Sequence, residues 1–339
     1  MKDLRYLTDS YEEGIRRIRE IDAPLNFIYM ADQHNRMNEL SANRRDPDNP
    51  PPFELAADAI DSMQYILDRC PNISMVICGG DIGDDYDPDP EKVRASHKEV
   101  MDAFYRLSVP TYCCIGNHDD GLGVAIDRGH DTREHVILPA ELHALCMKYN
   151  PTPENYYYID TDTSECGYRM VFLNTSDKPY YPDENGQYPY GWRLEISNRQ
   201  ALWLEQEALQ TDRRILLFAH SPLHNAHIFG TEGGPTYIKP YDDLLNGPRV
   251  YYAVKQCKNV IAAFFGHVHY DNIVYDEDLL SVTTLCSLVQ EWAPGCPKRT
   301  VGTPTETAFD VFSIKGDVLY ATRFGAGENR MATLMRVKK

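Results

Sequence analysis

The stretch IAAFFGHVHY, Ile261 to Tyr270, ends an apolar run in glycine and then sets two histidines, His267 and His269, two residues apart. At that spacing in an extended chain both imidazoles can leave from the same side of the backbone, which suits a shared target. Four further apolar runs end in the same manner. They deliver Asp32 and His34, then Asp81, then Asn117 and His118, then His220. The set holds two carboxylates, one amide and several imidazoles, with no thiolate. Mixed nitrogen and oxygen ligation suits Mn, Fe, Zn or Ni better than Ca or a thiolate cluster. The ligands are too many for a single tetrahedral zinc, and a pair of metals bridged by a carboxylate fits the count. Such pairs sit roughly 3.5–4 Å apart and clamp an in-line displacement at phosphorus.

Residues so far apart in sequence need elements that carry them to one place. LNFIYMADQH, ISMVICGGD, VPTYCCIGNHD, RMVFLNTSD, RILLFAHSP and NVIAAFFGHVH read as strands running into polar ends. Between them lie helical patterns. FELAADAIDSMQYILDRC spaces Leu55, Ala59, Met63 and Ile66 helically before Pro71 and Asn72 stop it. PEKVRASHKEVMDAFYRL puts Val93, His97, Val100, Phe104 and Leu107 on one face. Ser197 with Gln200 reads as a capping box opening NRQALWLEQEAL. Near the end, LLSVTTLCSLV and the run from AFDVFSI to VLYATRF look like a meander of strands. Strands alternating with helices imply an α/β core, and the late strands make its sheets mixed. Ligands in such sheets gather beyond the carboxyl ends of the strands, so the polar clusters are expected at one rim. No repeat or low-complexity linker divides the chain. It reads as a single domain over 1–339, with a helical extension at 1–24 and a β-rich segment at 279–325.

Composition narrows the function. The chain has 339 residues, 42% hydrophobic and 25% charged, which is globular. Its 34 basic and 51 acidic residues give a net charge of -17, which argues against a nucleic-acid scaffold. A small phosphate-ester substrate is compatible with that charge, because bound cations supply positive charge locally. The nine cysteines are scattered, and Cys113 and Cys114 lie inside an apolar run, as reduced core residues would. The first twenty residues hold no apolar signal region, and no stretch approaches a membrane span. Cytoplasm is the expected location.

Together, D-x-H (Asp32, His34), GDxxD (Asp81, Asp84), GNHD (Gly116 to Asp119), the lone His220 and GHVH (Gly266 to His269) resemble the motifs of the calcineurin-like metallophosphoesterase superfamily, in that family's order. The resemblance covers about Asn26 to Tyr270. It implies an α/β fold of two packed mixed β-sheets flanked by helices. It implies that Asp32, His34 and His269 hold one transition metal ion, that Asn117, His220 and His267 hold a second, and that Asp81 bridges them. A water or hydroxide between the metals would attack phosphorus. His118 resembles the family's histidine beside the leaving group, and Asp84 matches the acid that orients it in some members. The arginine-glycine pair usual after that acid is missing from GDIGDDYD, which speaks against the protein serine/threonine phosphatase branch. A nucleotide-like phosphodiester is the leading substrate, with phosphomonoester or nucleotide hydrolysis as the alternative. A non-catalytic interaction protein on the same fold is the rival from another class. Its sequence mark, loss of ligands, is missing.

The other candidates have plainer readings. His97 is expected in the core or at its boundary, and His130, His135 and His143 at the surface. Asp85, Asp87 and Asp89 read as a solvated loop, and TRFGAGENR as a turn after a strand. His224 and His227 could line the pocket, and Arg36 could meet a phosphate. The tyrosine-rich loop from Tyr180 to Trp192 is long enough to form a wall or lid for the substrate.

Overall fold

The computed structural model describes residues 4–35, 56–83, 85–228, 244–288, 296–300 and 302–337. One sheet contains β1 (Leu25–Met30), β2 (Ile73–Cys78), β3 (Thr111–Cys113), β10 (Ala308–Lys315), β11 (Val318–Gly325) and β12 (Arg330–Thr333). Their order is β12-β11-β10-β1-β2-β3, parallel from β1 to β3 and antiparallel from β1 through β12. The other sheet contains β4 (Tyr157–Asp162), β5 (Gly167–Leu173), β6 (Arg214–Ala219), β7 (Val260–Phe265), β8 (Asn272–Asp276) and β9 (Leu279–Thr283). Its order is β4-β5-β6-β7-β9-β8, with β5, β6, β7 and β9 parallel and an antiparallel strand at each edge.

Period-two alternation joins the two sheets. Met170 and Phe172, Leu216 and Phe218, and Ala262 and Phe264 face the other sheet, while Val171, Leu173, Ile215, Leu217, Ala263 and Phe265 enter a second cluster. Between the sheets the rings of Phe172, Phe218 and Phe264 stack in a row, with centroids 5.1 and 5.0 Å apart. Phe27 meets Phe218 and Phe264 edge-on from β1, and Phe312 meets Phe264 from β10. Edge-to-face and offset contacts at these spacings add to the burial of large apolar area.

Helices cover the outer faces. After α1 (Arg5–Thr8), α2 (Glu12–Ile21) packs on β10 and β11, and α3 (Ala56–Leu67) packs against α4 (Pro90–Phe104). The Asp89 side chain caps α4 by accepting from the Glu91 N–H at 3.0 Å, with Pro90 at the first helical position. Three short helices follow β3: α5 (Leu122–Arg128), α6 (Thr132–His135) and α7 (Pro139–Cys146). None of these, nor β4 and β8, carried a period long enough to read from sequence. The helix expected after Ser197 runs as α8 (Asn198–Trp203) and continues as one π-helical turn, Leu204–Ala208. Last comes α9 (Gly247–Gln256), packed on the second sheet's outer cluster. Ser197 accepts the Gln200 N–H at 3.1 Å, but the Gln200 side chain donates to Asn174 and Asp177, so the reciprocal bond of a capping box is not made. Among the described residues no helix is long and apolar enough to cross a membrane.

Candidate metal centre

Five strand ends converge on one rim. Asp32 and His34 follow β1, Asp81 follows β2, Asn117 and His118 follow β3, His220 follows β6, and His267 and His269 follow β7. Ligand atoms of Asp32, His34, Asp81 and His269 all lie within 4.8 Å of one another, and so do those of Asp81, His220 and His267. Asp81 belongs to both groups.

The backbone is bent to achieve this. Among the described residues eight non-glycine positions have positive φ, and five of them are Asp32 (56°), His34 (43°), Asp81 (54°), His267 (66°) and His269 (54°). Left-handed conformations cost an L-residue about 1–2 kcal/mol each and persist where the surroundings hold them. The holding bonds are visible. His34 N–H donates to the Asp81 carbonyl at 3.0 Å, Asp32 N–H to Gly80 at 2.9 Å, and His267 N–H to the Asp32 carboxylate at 3.0 Å. Asp119, the acid that ends GNHD, accepts three backbone N–H groups, from Gly116, Ile82 and Asp81, at 2.7, 2.7 and 3.2 Å. His97 lies buried behind it, with Nε2 3.4 Å from Asp119 Oδ1. The core position expected for His97 is therefore also a brace for the rim. Gly83 is required above it, because a Cβ there would come within 2.2 Å of the imidazole.

The donor chemistry fits cations. His220 donates Nδ1–H to the Gly79 carbonyl at 2.8 Å, which leaves its Nε2 lone pair facing Asp81 Oδ2 at 3.0 Å and Asn117 Oδ1 at 3.1 Å. Three acceptors thus converge with no proton between them in the neutral tautomer. Burial pulls the His220 imidazole down, and the Asp81 and Asp32 carboxylates outweigh it, raising it to about 9. The site demands positive charge there. Burial and the neighbouring His220 hold His267 well below the usual histidine range, so its lone pair stays available. His34 Nε2 and His269 Nε2 face each other at 3.2 Å, with Asp32 Oδ1 3.2 Å from the latter. The residues present suit two ions that prefer nitrogen and oxygen ligands.

Beside this cluster stands His118. Its ring centroid is 4.9 Å from that of His34, and its Nδ1–H donates to Asp85 Oδ1 at 2.9 Å. Asp84, the acid matched by motif, lies outside the described residues. The carboxylate that meets His118 is Asp85, which is 1% exposed and not the solvated loop residue that its proline-rich neighbourhood suggested. An acidic run hides its one buried member from a reading by composition. Burial pulls His118 down, and Asp85 and Asp81 outweigh it, holding it up at about 9.

Other expectations sort by geometry. Cys286 was not part of the expected set, yet its buried thiol lies within 4.8 Å of the His34 and His269 nitrogens and 2.9 Å from the Asp32 carbonyl oxygen. No spacing signal could have found it, because it follows a strand of the late meander. His135 is buried, not at the surface as expected, and His130 and His143 are half-buried: His130 and His135 pack ring to ring at 4.7 Å, and His143 bonds the Thr152 carbonyl. His224 stacks on Tyr251 at 4.2 Å, and His227 bonds Ser281. Arg36 lies outside the described residues. TRFGAGENR runs from the end of β11 through the turn into β12, and its two arginines brace the loop after β7: Arg323 and Arg330 both hold Asp310 and Asp271, the latter two residues past His269. The tyrosine-rich loop is anchored by the buried Lys178, whose ammonium pairs with Asp120 at 2.6 Å and donates to the Gly191 carbonyl. Breaking such a buried pair costs about 3–5 kcal/mol.

The calcineurin-like phosphoesterase family model matches residues 25–271. A dimetal phosphatase from Danio rerio shares the fold at a TM-score of 0.63 and 14% identity, over 92% of this chain and 100% of that one. A phosphopantetheinyl hydrolase from Mycobacterium tuberculosis aligns at 0.41 and 14% identity, over 78% and 91%. A 5'-nucleotidase-like protein from Staphylococcus aureus aligns at 0.46 and 14%, over 91% and 54%. No curated protein matches. With its family model spanning every strand end that carries the cluster, the chain belongs to the calcineurin-like phosphoesterases and is a metal-dependent phosphoric ester hydrolase.

Proposed function

We propose that the protein hydrolyses a small, nucleotide-like phosphodiester at a centre of two transition metal ions drawn from Mn, Fe, Zn and Ni. The observation that carries this reading is the sharing of Asp81 between two donor groups, with His118 beside one of them. Asp32, His34, Asp81 and His269 would hold one ion, and Asp81, Asn117, His220 and His267 the other. When bound, such ions supply Lewis acidity toward the phosphoryl oxygens and a water of lowered pKa. The chain's own contribution is positional and protonic. Asp81 fixes the separation of the two groups. His118 keeps Nδ1–H on Asp85, so its Nε2–H is the proton delivered to the departing oxygen. The net charge of -17 favours a singly charged diester over a doubly charged monoester, because the field of the whole protein repels the second charge. A panel of phosphodiesters and phosphomonoesters matched in leaving alcohol, assayed with added Mn, tests this. Higher kcat/KM on the diesters is expected, and a uniform preference for the monoesters would replace the reading by that of a monoesterase.

Asp85 gives a pH test. A general acid works only while protonated, so activity falls as pH rises through the His118 pKa. The Asp85 charge raises that pKa. Asp85→Asn should therefore move the alkaline limb of the kcat profile to lower pH while metal content is retained. An unmoved limb would remove Asp85 from this role.

A further inference from the structure

The His118 ring is walled by two aromatic residues that the metal cluster does not use. Tyr86 stacks beside it with centroids 6.2 Å apart and planes at 25°. Trp192, from the end of the tyrosine-rich loop, lies 4.7 Å away at 66° and is 38% exposed. The indole is built in, not loosely draped. Its Nε1–H donates to Asp127 Oδ2 at 2.8 Å. Its ring lies on Gly123 of α5, where a Cβ would come within 2.4 Å of Cδ2 and Cε3. Gly123 has ordinary helical φ, so the glycine there serves space, not conformation. The Lys178 ammonium holds the carbonyl of Gly191, the residue before the indole, and is itself fixed by Asp120 next to GNHD. A rigid, half-open aromatic surface thus stands against the residue that protonates the leaving group.

We propose that Trp192 is the platform of a leaving-group subsite and that the departing alcohol carries a flat aromatic ring, as a nucleoside or an aryl alcohol does. This rests on the reading of His118 above, because that reading locates the leaving group. Indole takes any planar ring by stacking, without hydrogen-bond readout, so the subsite selects aromaticity more than identity.

The test is a ratio. Esters of 2-naphthylmethanol and cyclohexylmethanol have leaving groups of similar acidity, one flat and aromatic, the other not. The Mn-loaded protein should favour the first in kcat/KM by roughly 5- to 150-fold. Trp192→Leu should erase that preference, Trp192→Phe should keep part of it, and Gly123→Ala, which displaces the indole, should reduce it. Each preference is measured on one sample, so a loss of folded protein cancels. A wild-type protein with no preference, or a Trp192→Leu variant that retains it, overturns the proposal. A second arm needs no turnover and so separates this idea from the enzymatic reading. Calorimetric titration with adenosine and with 2-naphthylmethanol should show saturable binding that Trp192→Leu weakens. Binding of adenosine alone assigns the platform to nucleosides, and binding of both assigns it to aromatic alcohols in general. No binding of either, or equal binding by the variant, counts against it.

Discussion

His118→Asn should lower kcat by roughly 100- to 10,000-fold, the range for a lost general acid, with metal content unchanged. Asn117 and His118 are neighbours that face different partners. The Asn117 oxygen faces His220 in the donor cluster at 3.1 Å, whereas His118 turns its Nδ1–H to Asp85. The His118 backbone N–H, which an asparagine keeps, donates to Asp81 at 2.9 Å, so the rim stays in place. The loss should shrink for esters of very acidic alcohols, which depart without a proton. Kinetics over a series of leaving-group acidities, with elemental analysis of each preparation, checks both halves. Equal losses across the series, or loss of metal in the variant, would show that His118 does other work.

The second large effect separates Asp81 from His267. Asp81 takes part in both donor groups and His267 in one. His267→Ala should empty one position, and excess metal should restore part of the activity. Asp81→Ala should drop the metal content of gently purified protein from about two ions per chain toward none, as the carboxylate bridge of a two-metal site predicts. Activity should then not return with added metal. The carboxyl of Asp81 lies well below the usual range despite its burial, because His220, His118 and His34 crowd it with positive charge. Elemental analysis with activity titrated against Mn distinguishes the two variants, and a rescuable Asp81→Ala would refute the shared-ligand assignment.

The rim was legible because its physics is local. An apolar run ending in a polar ligand is a strand reaching its carboxyl end, and β1, β2, β3, β6 and β7 each obey this. What stayed hidden depends on contacts between distant segments. Asp85 differs from Asp87 and Asp89 only by where the chain turns, and Trp192 reaches His118 across 74 positions of sequence through an ion pair that no periodicity announces. The short helices α5 to α7 lack a long amphipathic stripe, and β4 is an edge strand with three of its six residues half-buried and two exposed. Cys286 was unreadable for the same reason: its place is set by β9 pairing alongside β7, not by its neighbours in sequence.

The five left-handed residues of the donor cluster bear on how this protein would evolve. Asp and His are among the side chains that tolerate such a backbone, so the demand of the fold and the demand of the metals meet in the same two residue types. Glycine would adopt that backbone without the steric cost and would supply no side-chain donor or acceptor. A substitution at Asp32, His34, Asp81, His267 or His269 that relaxed the backbone would therefore also remove a member of the donor cluster. The steric cost of the left-handed positions, about 1–2 kcal/mol each, is thus concentrated where the cluster lies.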